Sequence, residues 1–289
     1  MASAQHVLDH LVRLVEQDRF GAHGIHVRVG DDAARYLWDD DERRDVHSVA
    51  KGICVLAAGI AVDDGVFDLD APVAHYLPDL ATAPETSDVT VRHLLGMISG
   101  VDFPWSPTLL IDWPDLAVQF LSRPSRGRVF QYSNASTYTA MRALAAVVGD
   151  VGSWLEDRLF TPMGIAAPAW QRCPNGFIEA GGGLELTLDE LAAVGRLIRD
   201  GGRHNGEQLV SPESVRTLHA EWSEHDAEDP SYRRYALGGW DGPGAAWRLH
   251  GAYGQLLIFH GNAVVTITAH DHEGADPFAE QVVTLLERR

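Results

Sequence analysis

Two stretches of alternating apolar side chains lie near opposite ends of the chain, and their placement restricts the fold more than any other feature. The first runs from Gly24 to Trp38, with Ile25, Val27 and Val29 before the turn Gly30-Asp31-Asp32 and Ala34, Tyr36 and Trp38 after it. A period of two puts alternate side chains on one face, which reads as an antiparallel pair. The second runs from Tyr235 to Ala269 and reads as three or four strands. Its breaks fall at Asp241-Gly242-Pro243-Gly244 and Gly261-Asn262, and the apolar runs Leu256–Phe259 and Val264–Thr268 fill the intervals. A single sheet made of both sets has to be closed by chain segments far apart in sequence.

The middle is punctuated as helix. Thr90 caps a helix through Ile98 that Ser99-Gly100 ends, and Ala135 to Val148 is closed by Gly149. Thr187 and Glu190 form a capping box for Leu188 to Arg199, stopped by Gly201-Gly202, and Ser211-Pro212 opens another helix. Each chain end adds one more: an amphipathic helix within Ala2 to Phe20, and a last helix from about Pro277 to Arg288. The expected class is α+β: an antiparallel sheet built from both chain ends and flanked by terminal helices, with an inserted, mostly helical subdomain. Residues 1–60 and 232–289 would form the sheet part and residues 61–231 the helical part of one catalytic module, 1–289. The cleft between the two parts is the expected site.

Composition narrows the partners. Hydrophobic residues are 45% of the 289, enough for a sizeable core, and the net charge of −18 argues against nucleic acid or an anionic membrane surface. The longest apolar run, Ile53 to Val62, is too short to span a bilayer, and Asp9, Glu16 and Asp18 interrupt the N-terminal apolar residues. A soluble cytoplasmic protein is the expectation. Cys54 and Cys173 do not make a disulfide framework, and Cys54, in an apolar stretch, reads as a small buried hydrophobe. Of the 14 histidines, His219, His225, His270 and His272 are scattered or in loops. His270-Asp271-His272 lacks partners at zinc spacing, so no metal and no cofactor is expected.

The basic residues are lopsided: 22 of the 23 are arginine, and the single lysine is Lys51. It stands in His47-Ser48-Val49-Ala50-Lys51, where the charged segment Asp39 to Asp45 gives way to a long apolar helix. Positions i and i+3 share a helix face, so the Lys51 amine can reach the Ser48 hydroxyl. From Val49 to Val62 no other side chain is charged. A buried ammonium must find hydrogen-bond partners or lose its proton, and a deprotonated lysine beside a serine is an activated nucleophile. Arginine does not shed its proton and could not take this place. The bland alternative is a lysine snorkelling from a core helix beside an ordinary capping serine.

Two further groups bear on that choice. Tyr132-Ser133-Asn134 precedes a helix, where the tyrosine could relay a proton and the asparagine hold the lysine or a substrate carbonyl. A core tyrosine followed by a helix cap is the alternative. His250-Gly251-Ala252-Tyr253-Gly254-Gln255 heads an apolar strand, where small residues let a substrate lie along the edge and a backbone N–H joins that of Ser48 in an oxyanion hole. A glycine-marked bend is the alternative there.

Taken together these residues resemble the serine β-lactamase and penicillin-binding protein superfamily, in its class C-like branch of esterases, D-aminopeptidases and 6-aminohexanoate-oligomer hydrolases. Connecting segments resemble that branch too, among them Asp63-Asp64-Gly65, Leu69-Asp70-Ala71-Pro72-Val73, Tyr76-Leu77-Pro78, Thr90 to Leu95, Leu159 to Gly164, Gly181-Gly182-Gly183-Leu184 and Leu209 to Ser214. The resemblance spans Gly24 to Ala269. It implies that Ser48 is acylated, that Lys51 and Tyr132 share the base and acid work, and that Asn134 supports them. His250 stands where many relatives carry Lys-Thr-Gly, and Ala252, give or take one residue, is the second oxyanion donor. Without that lysine a β-lactam or peptide carboxylate loses its usual partner, which Arg248 or His250 would have to replace, and β-lactamase activity is expected to be weak or absent. The implied activity is hydrolysis of a small ester or amide. Transfer of the acyl group to an amine or alcohol is a second reading, and an inactive binding protein on the same fold a third.

Overall fold

The computed structural model describes residues 3–80, 82–103 and 115–288, so Ala2 lies outside the described residues. Helix α1 (Ala4–Asp18) is capped by the Ser3 side chain and buries Val7, Leu8, Leu11 and Val15 along one face. The hairpin follows as β1 (Ala22–Val29) and β2 (Asp32–Leu37). A two-residue strand β3 (Arg44–Asp45) leads into α2 (Val49–Asp63). The middle of the chain supplies α3 (Val73–Tyr76), α4 (Val91–Leu95), α5 (Leu116–Leu121), α6 (Asn134–Val148), α7 (Val151–Leu155), α8 (Leu188–Arg199) and α9 (Pro212–Arg216). Short strands β4 (Ala169–Trp170) and β5 (Leu184–Leu186) pair with β3 in a small sheet of order β3-β5-β4, and β6 (Arg203–His204) and β7 (Glu207–Gln208) form a separate hairpin. The remainder is β8 (Ser223–Glu224), β9 (Arg234–Tyr235), β10 (Trp240–Asp241), β11 (Trp247–Gly251), β12 (Gln255–His260), β13 (Ala263–Ala269) and α10 (Ala275–Glu287).

The main sheet has the order β2-β1-β13-β12-β11-β10-β9-β8, so the N-terminal hairpin pairs with the C-terminal strand, Ala22 opposite Ala269 and Val29 opposite Ala263. Strands β12 and β13 are buried from Gln255 to Phe259 and from Ala263 to Ala269 because both faces are covered. Leu256, Ile258, Val265 and Ile267 point to the layer of α1 and α10, while Leu257, Phe259 and Val264 point to the layer that holds α2 and α8. The capping box is present at Thr187 and Glu190, and Arg43 reaches from the segment before β3 to the Glu190 carboxylate at 2.6 Å. The helix capped by Thr90 ends at Leu95 rather than Ile98, because Met97 takes the left-handed region (φ 59°), which a helix cannot continue through. Among the described residues no helix is long and apolar enough to cross a membrane.

Helix α2 is the centre of this arrangement. Every residue from Val49 to Ala61 is buried, so the helix has no solvent face, and it packs between β11 on the sheet and the helical layer. At the end of β11 the backbone of Gly251 runs against the turn that precedes Ser48: a Cβ there would lie 2.4 Å from the Val46 carbonyl oxygen. Only glycine lets the strand and that turn approach so closely. The Gly251→Ala protein is expected to lose about 1–3 kcal/mol of stability, the usual cost of overpacking a close contact. Urea denaturation checks this, with a lower midpoint and an unchanged slope as the expected result.

Candidate active site

Ser48 occupies the N-cap position of α2, yet its side chain makes no capping hydrogen bond. The hydroxyl is instead turned to Lys51, whose Nζ lies 2.8 Å from Ser48 Oγ. The same Nζ lies 2.7 Å from Asn134 Oδ1 and 2.6 Å from the Gly181 carbonyl oxygen. Lys51 is 1% exposed, and burial pulls its pKa down to about 7, against smaller opposing contributions from Cys54 and Asp45. The Cys54 thiol is itself pushed up to about 12 by burial, so it is neutral. A lysine amine has two N–H groups and one lone pair. When neutral it donates to Asn134 Oδ1 and Gly181 O, and its lone pair accepts the Ser48 O–H; when charged, its three N–H groups meet the same three oxygens. The geometry serves both states, which is what a group that takes up and returns a proton requires.

Four segments meet here. Ser48 and Lys51 come from α2, Asn134 is the first residue of α6, Tyr132 precedes it, and Gly181 belongs to the loop before β5. The Tyr132 ring centroid is 5.0 Å from Lys51 Nζ. Burial raises the Tyr132 phenol to about 12, partly offset by its hydrogen bond with Ser48, so it holds its proton at neutral pH. Behind it stands an aromatic wall, with Trp240 at 5.5 Å and Tyr235 at 5.9 Å between ring centroids. The sequence singled out Ser48, Lys51, Tyr132 and Asn134, and these four are brought together.

Gly181 and Asp45 had no assigned role in the sequence. A Cβ on Gly181 would lie 2.7 Å from Asn134 Cγ and Oδ1, so the triple glycine lets a main-chain carbonyl reach the amine. Asp45 Oδ1 accepts from the His47 N–H at 2.7 Å and from the Gly183 N–H at 2.9 Å, which ties the turn before Ser48 to the glycine loop. The Gly-Gly-Gly run was the visible signal; nothing local marks Asp45.

The third group lies at the end of β11. His250 is the last side chain before Gly251 abuts Val46 and His47, and Ala252 and Tyr253 follow in a tight turn with Tyr253 at φ 61°. The Tyr253 ring is 49% exposed and lies 5.1 Å from the ring of His47, itself left-handed at φ 48°. Arg248 does not fill the place of a carboxylate-binding cation. It is 0% exposed, and its Nη1 donates to the Ser231 carbonyl at 3.1 Å and the Gly242 carbonyl at 2.7 Å, so the guanidinium points into the protein. His270 and His272 are exposed beside His23 and Tyr253 respectively.

Known proteins share this fold. A 6-aminohexanoate-dimer hydrolase of Paenarthrobacter ureafaciens is 27% identical over 218 residues, 66% of this chain and 54% of that protein, so the chain spans about half the length of this relative. A penicillin-binding protein homologue from Caulobacter crescentus superposes with a TM-score of 0.79 at 15% identity, covering 100% of this chain and 99% of the other. A class C β-lactamase from Rhodobacter sphaeroides gives 0.75 at 16%, covering 97% and 99%, and a D-amino acid amidase from Ochrobactrum anthropi SV3 gives 0.74 at 14%, covering 99% and 98%. At such identities these structures establish the fold. The Beta-lactamase family model matches residues 11–282, nearly the whole length, and the chain therefore belongs to the Beta-lactamase family.

Proposed function

We propose that this protein cleaves a small, uncharged ester or amide through an acyl-Ser48 intermediate. The observation that carries the reading is the three-way bonding of the buried Lys51 amine, which leaves its lone pair facing the Ser48 hydroxyl at 2.8 Å. In the first step Ser48 gives its proton to Lys51 Nζ and its Oγ attacks the substrate carbonyl carbon. The oxyanion is met by the N–H of Ser48, at the start of a long helix, and by that of Ala252. Tyr132, still protonated, passes its proton to the leaving alcohol or amine as the C–O or C–N bond breaks, and recovers it from the Lys51 ammonium. Water then attacks the acyl-enzyme, its proton goes to the lysine–tyrosine pair, and Ser48 is restored. Asn134 holds the amine throughout. The similarity to a 6-aminohexanoate-dimer hydrolase and to a D-amino acid amidase supports including amides among the substrates. The assembled Ser48, Lys51 and Tyr132 speak against a protein that only binds.

The pH profile follows from the lysine. Its folded-state pKa of about 7 lies below the ordinary value of 10.5, so the amine is mostly protonated at pH 6 and mostly free at pH 8. Turnover of a p-nitrophenyl ester should rise through pH 7 to a plateau. Lys51→Arg, which keeps charge but offers no base, should lose about 10²-fold or more in kcat/KM. Circular dichroism establishes that the variant is folded, and a folded Lys51→Arg enzyme at wild-type rate would reject the assignment. Intact mass after exposure to an acyl phosphonate should show one adduct, absent in Ser48→Ala.

Specificity follows from the third group. Because Arg248 is buried and no lysine is present, a substrate carboxylate finds no charged partner there and forgoes a hydrogen bond of about 1.5–3 kcal/mol. A short p-nitrophenyl ester is expected to exceed a chromogenic cephalosporin in kcat/KM by about tenfold or more. A cephalosporin turned over faster than the ester would refute the preference for uncharged substrates.

A further inference from the structure

Behind His250 lies a buried polar cluster whose protons can be placed by elimination. Arg248 Nε donates to His250 Nδ1 at 3.2 Å. The Tyr232 hydroxyl lies 2.9 Å from the same Nδ1 and 2.7 Å from Asp276 Oδ1. Asp276 Oδ1 is also 3.7 Å from Arg248 Nη2 and 3.6 Å from His250 Nδ1, and the guanidinium lies 4.7 Å from the Tyr232 ring centroid. Of these groups arginine alone cannot release its proton. Its N–H points at Nδ1, so Nδ1 must present a lone pair, and the ring proton of a neutral imidazole must sit on Nε2. The single Tyr232 O–H can turn to Asp276 or to Nδ1 without changing that result.

We propose that Arg248 is a positioning residue that locks His250 as the neutral Nε2–H tautomer, so that the third motif offers substrate an uncharged hydrogen-bond donor instead of a cation. The side chain of His250 keeps 11% of its surface exposed, while Nδ1 is held on the inner side. The charge of Arg248 is balanced by Asp276 from α10, and the other groups facing the ring are Tyr232, from the turn at 230–232, and His272, from the loop before α10. Burial and the neighbouring Arg248 both disfavour a second ring proton, and together they hold the imidazole down to about 3. His250 would therefore keep one protonation state across the pH range in which Lys51 titrates. The consequence for substrates rests on the acyl-Ser48 reading; the tautomer does not.

Long-range ¹H–¹⁵N spectra of the wild-type imidazoles test the tautomer directly, with His250 assigned by its loss in His250→Gln. The expected signature is an Nε2–H ring that does not change between pH 5 and pH 8. An Nδ1–H ring, or a midpoint near 6.5, overturns the proposal whether or not the enzyme turns over any ester tried. In Arg248→Met one of the causes that hold the ring down is removed while burial stays, so the midpoint should rise toward the ordinary imidazole value of about 6.5 without reaching it. The KM for a neutral ester should then acquire a pH dependence of about threefold or more across that midpoint, while the Lys51 limb of kcat stays in place. A purely structural Arg248 would lower stability and leave both the tautomer and the shape of the KM profile unchanged. If Arg248→Met does not fold, His250→Lys gives the second reading. It should raise kcat/KM for a carboxylate-bearing substrate about tenfold relative to the neutral ester. No relative gain in a folded, active His250→Lys enzyme would mean that this position does not set the charge preference.

Discussion

The burial of one ammonium group governs the architecture. Removing a charge from water costs several kcal/mol, and a lysine in a helix without a solvent face must recover that through close partners or by giving up its proton. Lys51 does both, with three oxygens within 2.8 Å and a pKa near neutrality. Its partners come from the start of its own helix, the first turn of α6 and the loop before β5. The packing of the latter two against α2 is therefore a condition for the amine to be inside at all. The Asp45 carboxylate and the close approach of Gly251 hold the same turn from two further sides.

Much of this was legible in the residues. The two sets of alternating side chains became neighbours in one sheet, and the capping box at Thr187 and Glu190 fell where the spacing put it. The pairing of Ser48 with Lys51 could be seen because an i, i+3 relation on a helix is local and because no other lysine competes for attention. What escaped is what depends on distant backbone. Gly181 acts through a carbonyl, which every residue has, and only the absence of a side chain marks it. Asp45 matters for the two N–H groups it happens to bridge. Arg248 looked like a spare cation two residues from His250, and alternation along a strand would put both on the same face. Which face is buried there was decided by the turn at 230–232 and by α10, neither of which lies beside Arg248 in sequence.

The two halves of the site also differ in electrical character. Around Ser48 burial keeps a titratable amine near its midpoint at neutral pH. Around His250 the side chains hold one another: a buried arginine, a carboxylate opposite it, and a ring that accepts the arginine N–H. On the acyl-Ser48 reading one end would move protons while the other holds its dipoles fixed, the arrangement in which electrostatic stabilisation requires least reorganisation during reaction.

The pairing of β1 with β13 has a consequence for how the folded chain comes into being. Residues near the two ends of the chain are hydrogen-bonded neighbours, and α2 rests on β11 and β12, which are also made late. During synthesis α2, buried on every side in the folded chain, emerges long before the strands that will cover it. Until then Val49 to Ala61 has nothing of its own chain to lie against on the sheet side, and non-local pairing of this kind forms slowly. The nascent protein thus passes through an interval in which its most hydrophobic segment is made but unshielded.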